Sequence, residues 1–352
     1  MKIKLPSLLV FFALAATTQA AVKWNDVLRQ PAEWYAGVEA RTIADSVLLY
    51  QTESGGWPKN HDMTVPPDEA FLAETKYDHR APTIDNNATT TQIQFLARVA
   101  EAQDDAPARP AVLRGIDYLL AAQYANGGWA QYYPSIAGYY THITYNDNAM
   151  VNVLNVLRDA SAGAPPYAFL DAERRAKAAD AVQRGTACIL RTQINQNGSL
   201  TGWCAQYDET TFEPAWARNF EPPSQSGDES VALVRFLMGI EKPSPEVIAA
   251  IDGAVTWLHA VPVHGLRIDN TVGADGKKDR HAVEDSSAPA LWARFYELGT
   301  NKPIYVGRDK VVHYDYNEIE RERRIGYNYL GSWPAKLILE DYPRWREKNN
   351  LP

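Results

Sequence analysis

The chain has 352 residues, a formal net charge of −8 and a sequence pI near 5.5. With 45% hydrophobic and 22% charged residues it holds enough apolar material for a core, which excludes disorder, collagen and coiled coil. The acidic balance argues against a general nucleic-acid binder, because such proteins are basic.

The first twenty residues have the pattern of a cleaved export signal. Two lysines precede the apolar segment 5–16, and small residues follow it up to Ala20. This apolar run is shorter than the roughly 18–20 residues that span a bilayer, and no later segment is apolar enough. We therefore expect a signal peptide over residues 1–20, one secreted or periplasmic domain over residues 21–352, and no membrane association. A monomer is expected.

Two kinds of segment alternate along the rest of the chain. The first is a helical stretch that ends in Gln and continues into a glycine turn and a Trp. Its copies are Gln51–Trp57, Gln123–Trp129 and the looser Gln193–Trp203, with a decayed fourth copy expected at Trp257–Leu266. The second kind opens with an acidic residue at a helix N-cap position and continues with apolar i, i+3, i+4 spacing. Its starts are Asp85, Asp147, Asp228 and Asp285.

This alternation predicts stacked helical hairpins that close into an all-α (α/α) toroid. Short β segments are expected only in the loops near 130–145 and 262–282. The proline-rich stretches 160–166 and 213–223 are expected to be loops. Because hairpins bring the end of one helix beside the start of the next, one end of the toroid should collect both kinds of motif.

Aromatic faces beside carboxylates at that end are typical of a sugar-binding surface, since sugar C–H faces pack on rings. The expected aromatic contacts are Trp57, Trp129 and Trp203. Each motif also has a purely structural interpretation, in which the aspartates only cap helices and the tryptophans only fill the core.

Two of the acidic segments, 84–87 and 145–148, carry more oxygen ligands than capping requires. Hard cations prefer several carboxylate and amide oxygens, so Ca²⁺ is favoured over zinc. The carboxylate and amide side chains of these segments are Asp85, Asn86, Asn87, Asn146, Asp147 and Asn148. Neither segment has the spacing of an EF-hand loop.

Several cationic side chains stand near the motifs, and Arg is suited to gripping carboxylates bidentately. Arg218 is the most notable, since it lies in the long loop 213–223 with Trp216, a further candidate for substrate binding. The other candidates for substrate binding are Lys59, Arg280, Arg294 and Arg308. For most of these side chains a surface ion pair is the simpler alternative.

Cys188 and Cys204 are the only cysteines. In an exported chain they could form one disulfide or remain two buried thiols, and the sequence leaves both possibilities open.

Long motifs along most of the chain resemble the pectate lyases of polysaccharide lyase family 10. They are Gly55–Asn60, Thr83–Thr89, Asn126–Pro134, Thr144–Met150, Thr201–Asp208, Trp216–Arg218, Trp292–Tyr296, Gly307–Asp309 and Tyr327–Trp333. The resemblance implies calcium-dependent β-elimination of polygalacturonate or its oligomers inside an (α/α) toroid.

The same resemblance assigns roles to residues. Arg218 would take the C5 proton, and Asp85 and Asp147, with Asn86 assisting, would hold Ca²⁺ against the substrate carboxylate. Lys59, Arg294 and Arg308 would grip uronate carboxylates. An arginine base would require neighbouring cations that depress its pKa. It would also require an alkaline medium, in which more of the guanidinium is deprotonated.

Two other functions remain open at the level of sequence. One is an inverting glycoside hydrolase that uses two of the aspartates as acid and base. The other is a secreted sugar-binding protein without catalysis, which the tryptophan repeat alone would allow.

Overall fold

A computed structural model describes residues 21–104 and 107–351. The predicted signal peptide lies outside these residues. Within them, no helix is of the length and apolar character that a membrane span requires.

The helices are α1 Val38–Leu49, α2 Glu69–Ala73, α3 Tyr77–Arg80, α4 Thr90–Gln103, α5 Ala108–Ala121, α6 Ala149–Ala162, α7 Ala172–Thr192, α8 Glu229–Met238, α9 Pro245–Ala260, α10 Arg321–Gly326, α11 Trp333–Lys336 and α12 Tyr342–Lys348. The strands are β1 Ile143–Thr144, β2 Asn195–Gln196, β3 Ser199–Leu200, β4 Gln206–Tyr207, β5 Gln225–Ser226, β6 Leu266–Val272, β7 Lys278–Glu284, β8 Trp292–Ala293, β9 Phe295–Tyr296, β10 Tyr305–Val306, β11 Val312–His313 and β12 Leu330–Gly331. All pair antiparallel in two-stranded ladders.

The long helices form two rows. Helices α1, α5, α7 and α9 make the outer row, and α4, α6 and α8 make an inner row packed against it. Outer and inner helices alternate along the chain, so the fold is the (α/α) toroid that the sequence predicts. The β6–β7 hairpin confirms the β structure expected near 262–282, and residues 208–224 between β4 and β5 form the expected long loop. The expectation that β structure is limited to two loops is wrong, because short strands also pair in the loops near 195–226 and 292–331.

The inner helices bury apolar stripes. On α6, Met150, Val153, Leu154 and Leu157 are all fully buried, as the i, i+3, i+4 spacing predicts. Each such side chain contributes about 1.5–3 kcal/mol by leaving water.

The glutamines of the Gln–Gly–Trp repeat join one outer helix to the next. Each side-chain amide donates to a carbonyl in its own turn and to a second carbonyl in the following outer helix. The second acceptors are Ala111 for Gln51, Ala181 for Gln123 and Ala250 for Gln193, at 2.8–2.9 Å. At Gly127, φ is +91° and an added Cβ would clash with the carbonyl oxygen of Arg184, so only glycine allows this close approach.

The repeat tryptophans are core residues. Trp57, Trp129 and Trp203 are 0% exposed, and each indole Nε1–H donates to a carbonyl in the last turns of the preceding outer helix at 2.8–2.9 Å. The prediction that these three rings contact sugar is therefore wrong, because no ring face reaches solvent.

The fourth copy of the repeat lies later than predicted. Trp292, rather than Trp257, donates its Nε1–H to the carbonyl of Leu258 in α9 at 2.8 Å, as the other three tryptophans do in their own repeats. The β6–β7 hairpin separates α9 from Trp292. This insertion is the reason that the regular spacing fails.

Because Trp129 is completely buried and hydrogen-bonded, we predict that Trp129→Ala lowers the free energy of unfolding by about 3–5 kcal/mol. Trp216→Ala is the matched control, since its ring is 38% exposed and its loss should change stability by less than about 1 kcal/mol. Chemical denaturation of both variants tests this. Equal destabilisation would contradict the core assignment.

Candidate active site

Three turns at the start of the inner helices lie side by side and carry acidic residues. In each turn, one backbone N–H donates to the carbonyl of the repeat tryptophan; the pairs are Thr83–Trp57, Thr144–Trp129 and Ser226–Trp203, at 2.7–3.1 Å. The next backbone N–H donates to a carbonyl of the following repeat, that of the residue two positions after its tryptophan. These pairs are Ile84–Gln131, Tyr145–Ala205 and Gly227–Arg294, at 2.8–3.2 Å. Each turn is thus fixed between consecutive repeats, and this places Asp85, Asp147 and Asp228 at one end of the toroid.

The aspartates of the first two turns do not cap helices. Asp85 and Asp147 lie in 3₁₀ turns, and α4 begins only at Thr90. Asp228 precedes α8 but accepts no N-cap hydrogen bond, and Asp285 opens a turn rather than a helix. The N-cap prediction is therefore wrong at Asp85, Asp147 and Asp285, whereas Asp228 does occupy the N-cap position of α8 but makes no capping hydrogen bond. The carboxylates of Asp85, Asp147 and Asp228 are thus available for other partners.

Both 3₁₀ turns contain two successive residues with left-handed backbone. Asn86 and Asn87 have φ of 50° and 61°, and Asp147 and Asn148 have φ of 50° and 61°. Asn and Asp tolerate this conformation better than other non-glycine residues. The side-chain types that supply oxygen ligands are therefore also the types that the backbone requires.

Four acidic side chains form a carboxylate cluster, which we define as Asp85, Asp147, Asp228 and Glu229, and Arg294 binds the last three. Its guanidinium forms ion pairs with Asp147 at 3.3 Å, with Asp228 at 3.6 Å and with Glu229. Only 9% of the Arg294 side chain is exposed. The structure thus gives Arg294 the role of counter-ion to the cluster, rather than the predicted role of an open grip for substrate.

Negative charge in the cluster exceeds the positive charge nearby. Burial raises the pKa of Asp147, and the carboxylates of Glu229 and Asp85 raise it further against the opposing effect of Arg294. Burial and Glu229 likewise raise the pKa of Asp228 to about 7. Four carboxylates therefore share the guanidinium of Arg294 and the ammonium of Lys59, which lies 2.5 Å from Asp85 Oδ2.

The side of the cluster near Lys59 is rich in amides. Asn86 donates to Asn60 Oδ1 at 2.9 Å, and Asn152 donates to Asn87 Oδ1 at 2.7 Å. These residues border an open cleft of about 1030 Å³. Asn86 thus lies beside Asp85, as predicted, although its side-chain amide bonds to Asn60.

The orientation of Arg218 is fixed by the carboxylate of Glu221, a residue that the sequence analysis did not single out. Arg218 Nε and Nη2 donate to Glu221 at 2.9 and 2.5 Å, and Tyr327 Oη donates to the same carboxylate at 3.0 Å. The Glu221 side chain is 5% exposed, whereas 43% of the Arg218 side chain is exposed. Burial alone would lower the pKa of Arg218, but Glu221 raises it above its usual value. The expectation that neighbouring groups depress this pKa is therefore wrong.

Arg308 lies near Arg218, as predicted. The Cζ atoms of Arg308 and Arg218 are 5.4 and 4.9 Å from the centroid of the Phe220 ring. Arg308 is exposed and bonds Glu322 through two N–H groups at 3.0 Å. Trp216, in the same loop as Arg218, is partly exposed, and the centroid of its ring lies 5.8 Å from Lys310 Nζ. Both side chains can reach a ligand in solution.

Arg280 is not part of this site. It lies on β7 and donates to Asn328 Oδ1 at 3.0 Å. Tyr327 and Asn328 are consecutive residues of an extended segment, so the Asn328 side chain lies on the side opposite that of Tyr327. The prediction that Arg280 joins the other cations is wrong because the hairpin carries it away from them.

Glu221, Glu229 and Tyr327 are site residues that the sequence analysis missed. The Arg-x-x-Glu spacing of Arg218 and Glu221 was a usable signal. Glu229 directly follows Asp228, but nothing local indicates that it would bind Arg294, 65 residues away.

A second group could also hold a metal ion. His142, Asp208 and Glu209 offer ligand atoms that all lie within 4.8 Å of one another, at the end of the β1–β4 ladder.

Cys188 and Cys204 are both buried free thiols. Of the two possibilities that the sequence leaves open, a disulfide or two buried thiols, the structure has the thiols.

The chain is similar to known proteins over most of its length. The family model described as pectic acid lyase matches residues 51–338. A family 10 polysaccharide lyase from Cellvibrio cellulosa shares 32% identity with a TM-score of 0.76, covering 92% of this chain and 94% of that one. An aspartate-to-alanine mutant of the family 10 polysaccharide lyase from Cellvibrio cellulosa, in complex with trigalacturonic acid, shares 31% identity with a TM-score of 0.75; 93% of this chain and 98% of that one are covered. No curated protein sequence matches significantly.

A helical toroid with carboxylates and arginines gathered at one end, together with these similarities, defines a polysaccharide lyase. The chain belongs to the pectic acid lyase family, polysaccharide lyase family 10, and is a pectate lyase.

Proposed function

We propose that this pectate lyase cleaves polygalacturonate and its oligomers between Arg218 and the carboxylate cluster, after export from the cell. The observation that carries the proposal is the arrangement of one anchored, half-exposed arginine beside a cluster with surplus negative charge. A relative in the same family is described in complex with trigalacturonic acid, which supports a uronate as the ligand.

The reaction has two chemical requirements. The C5 proton of a galacturonate lies next to a carboxylate, so removing it adds negative charge to a group that is already anionic. Elimination then breaks the C4–O bond and leaves a 4,5-unsaturated uronate. The site must therefore supply a proton acceptor and neutralise the developing charge.

Arg218 is the proposed proton acceptor. Glu221 and Tyr327 fix its orientation, while Nη1 has no hydrogen-bond partner in the described part of the chain. Because Glu221 raises the pKa of Arg218, the deprotonated form is scarce at neutral pH. Activity should therefore increase toward alkaline pH.

The carboxylate cluster fits a hard divalent cation. The side chain of Asp147 is 39% exposed, and the pKa values of Asp147 and Asp228 are raised first by burial and then by neighbouring carboxylates. Asp85 and Asp147, with the amide oxygen of Asn86, would hold Ca²⁺. When bound, the ion would supply positive charge that stabilises the substrate carboxylate as proton removal begins.

The proposal is tested by incubating the protein with polygalacturonate and following ultraviolet absorbance of the conjugated unsaturated product. We expect absorbance to rise with depolymerisation. Saturated oligomers alone would indicate a hydrolase and would overturn the proposal, as would binding without cleavage.

The carboxylate of Glu221 should set both the position and the basicity of Arg218. In Glu221→Gln the stabilisation of the guanidinium is lost, so the pKa of Arg218 falls and the alkaline rise of kcat/KM moves to lower pH. We also expect kcat to fall about tenfold or more, because one charge-assisted hydrogen bond is weakened. A pH–rate profile measures this. Reduced stability with an unmoved profile would contradict the role.

A further inference from the structure

A second cavity lies outside the site described above. It has a volume of about 640 Å³, within the range of ligand pockets. Strand β6, strand β7 and the loop 285–291 form its walls together with β12. None of the carboxylate-cluster residues, and neither Arg218 nor Glu221, lines it.

The backbone between the two places separates them. Tyr327 has extended backbone and points its hydroxyl at Glu221, whereas the side chain of the next residue, Asn328, accepts a hydrogen bond from Arg280. Consecutive residues of an extended segment point to opposite sides. Arg280, which lines the cavity, is therefore on the side of this segment opposite the Tyr327 side chain.

Arg280 lacks a carboxylate partner. Its guanidinium donates to Asn328 Oδ1 at 3.0 Å and to Asn270 Oδ1 at 3.4 Å. No carboxylate oxygen of the described residues lies within 4.0 Å of it, because Asp279 beside it in sequence pairs with Arg324. An arginine bound only to neutral groups keeps its full charge available to an anion.

The other charged side chains of the cavity pair with one another. Arg267 pairs with Asp285, which lines the cavity, and with Asp269. Among the lining residues Arg280 is therefore the cation that no carboxylate offsets. Apolar groups such as Pro289, Leu291 and Leu330 complete the wall.

We propose that this cavity is a second, non-catalytic binding site for a uronate unit of the polymer. Arg280 would bind the sugar carboxylate and the apolar wall would contact the C–H face of the ring. The inference rests on the proposed function for the identity of the anion. A second site on the same polymer raises the local concentration of substrate without taking part in the chemistry.

The test compares wild type, Arg280→Ala and Arg280→Lys with the control variant Arg344→Ala. Arg344 is a suitable control because it is exposed and pairs with Glu340. Mobility in gels containing polygalacturonate, with chelator present, reports binding without turnover. We expect Arg280→Ala to weaken retention about tenfold, Arg280→Lys to recover part of it, and Arg344→Ala to match wild type. Thermal unfolding confirms that each variant is folded.

Kinetics with substrates of two lengths locate the effect. We expect Arg280→Ala to raise KM for the polymer and to leave kcat/KM for trigalacturonate unchanged. Unchanged retention, or an equal loss with the trimer, would overturn the second site. If wild type is retained through Arg280 but forms no unsaturated product, the proposed function fails and the binding site stands.

Discussion

Replacing Arg218 by alanine is expected to lower kcat by about 10²–10⁴-fold, the usual contribution of a general base. Arg218→Lys should fail similarly, since an ammonium cannot reproduce the two parallel bonds to Glu221. Binding of trigalacturonate should persist in both variants, because Lys59, Arg308 and the Ca²⁺ that the carboxylate cluster would hold remain. Initial rates from ultraviolet absorbance, with calorimetric titration of the trimer, measure the two effects separately.

The control for this prediction is structural. Arg218→Ala leaves the Glu221 carboxylate buried without its partner, which can destabilise a protein by about 3–5 kcal/mol. The double variant Arg218→Ala/Glu221→Gln removes that charge and should be folded but equally inactive. Substantial activity in the double variant would show that Arg218 is not the base.

Removal of calcium is the second large effect that we expect. A chelator should abolish activity, and added Ca²⁺ should restore it. Asp147→Asn should require much more Ca²⁺ for half-maximal activity, because one carboxylate of the cluster is lost. Asparagine is the suitable substitute, since it tolerates the left-handed backbone at φ 50°, whereas alanine would add backbone strain.

Asp159→Asn on α6, the helix that follows the Asp147 turn, is the matched control, because its side chain is 59% exposed and lies near the far end of that helix. Its calcium requirement should equal that of wild type. Full activity in chelator, or an unchanged calcium requirement in Asp147→Asn, would contradict the ion site.

Local pattern predicted the helices and their order. The stripe of Met150, Val153, Leu154 and Leu157 has helical spacing, and burial of one face fixes it against the next helix. The β structure near 262–282 could be predicted, but the shift of the fourth repeat tryptophan to Trp292 could not, because the length of the inserted hairpin is unrelated to the repeat.

The site was predicted in part, for a physical reason. Asp85 and Asp147 could be found since each stands in an amide-rich segment. The burial of Trp57 could not, because a tryptophan beside a glycine turn has the same local sequence whether it faces solvent or core. Arg294 could be named but not placed, since its partners come from distant turns.

The position two residues after each repeat tryptophan has a consequence for evolution. It is occupied by Lys59, Gln131, Ala205 and Arg294; the carbonyls of the last three anchor the neighbouring turns, while their side chains differ in charge and size. Because those bonds use the backbone, they hold each turn whatever the charge of the side chain, and at Lys59 and Arg294 the same position also carries a cation to a carboxylate of the cluster. The toroid thus has four equivalent positions at which evolution could vary the charge beside the site while keeping the frame.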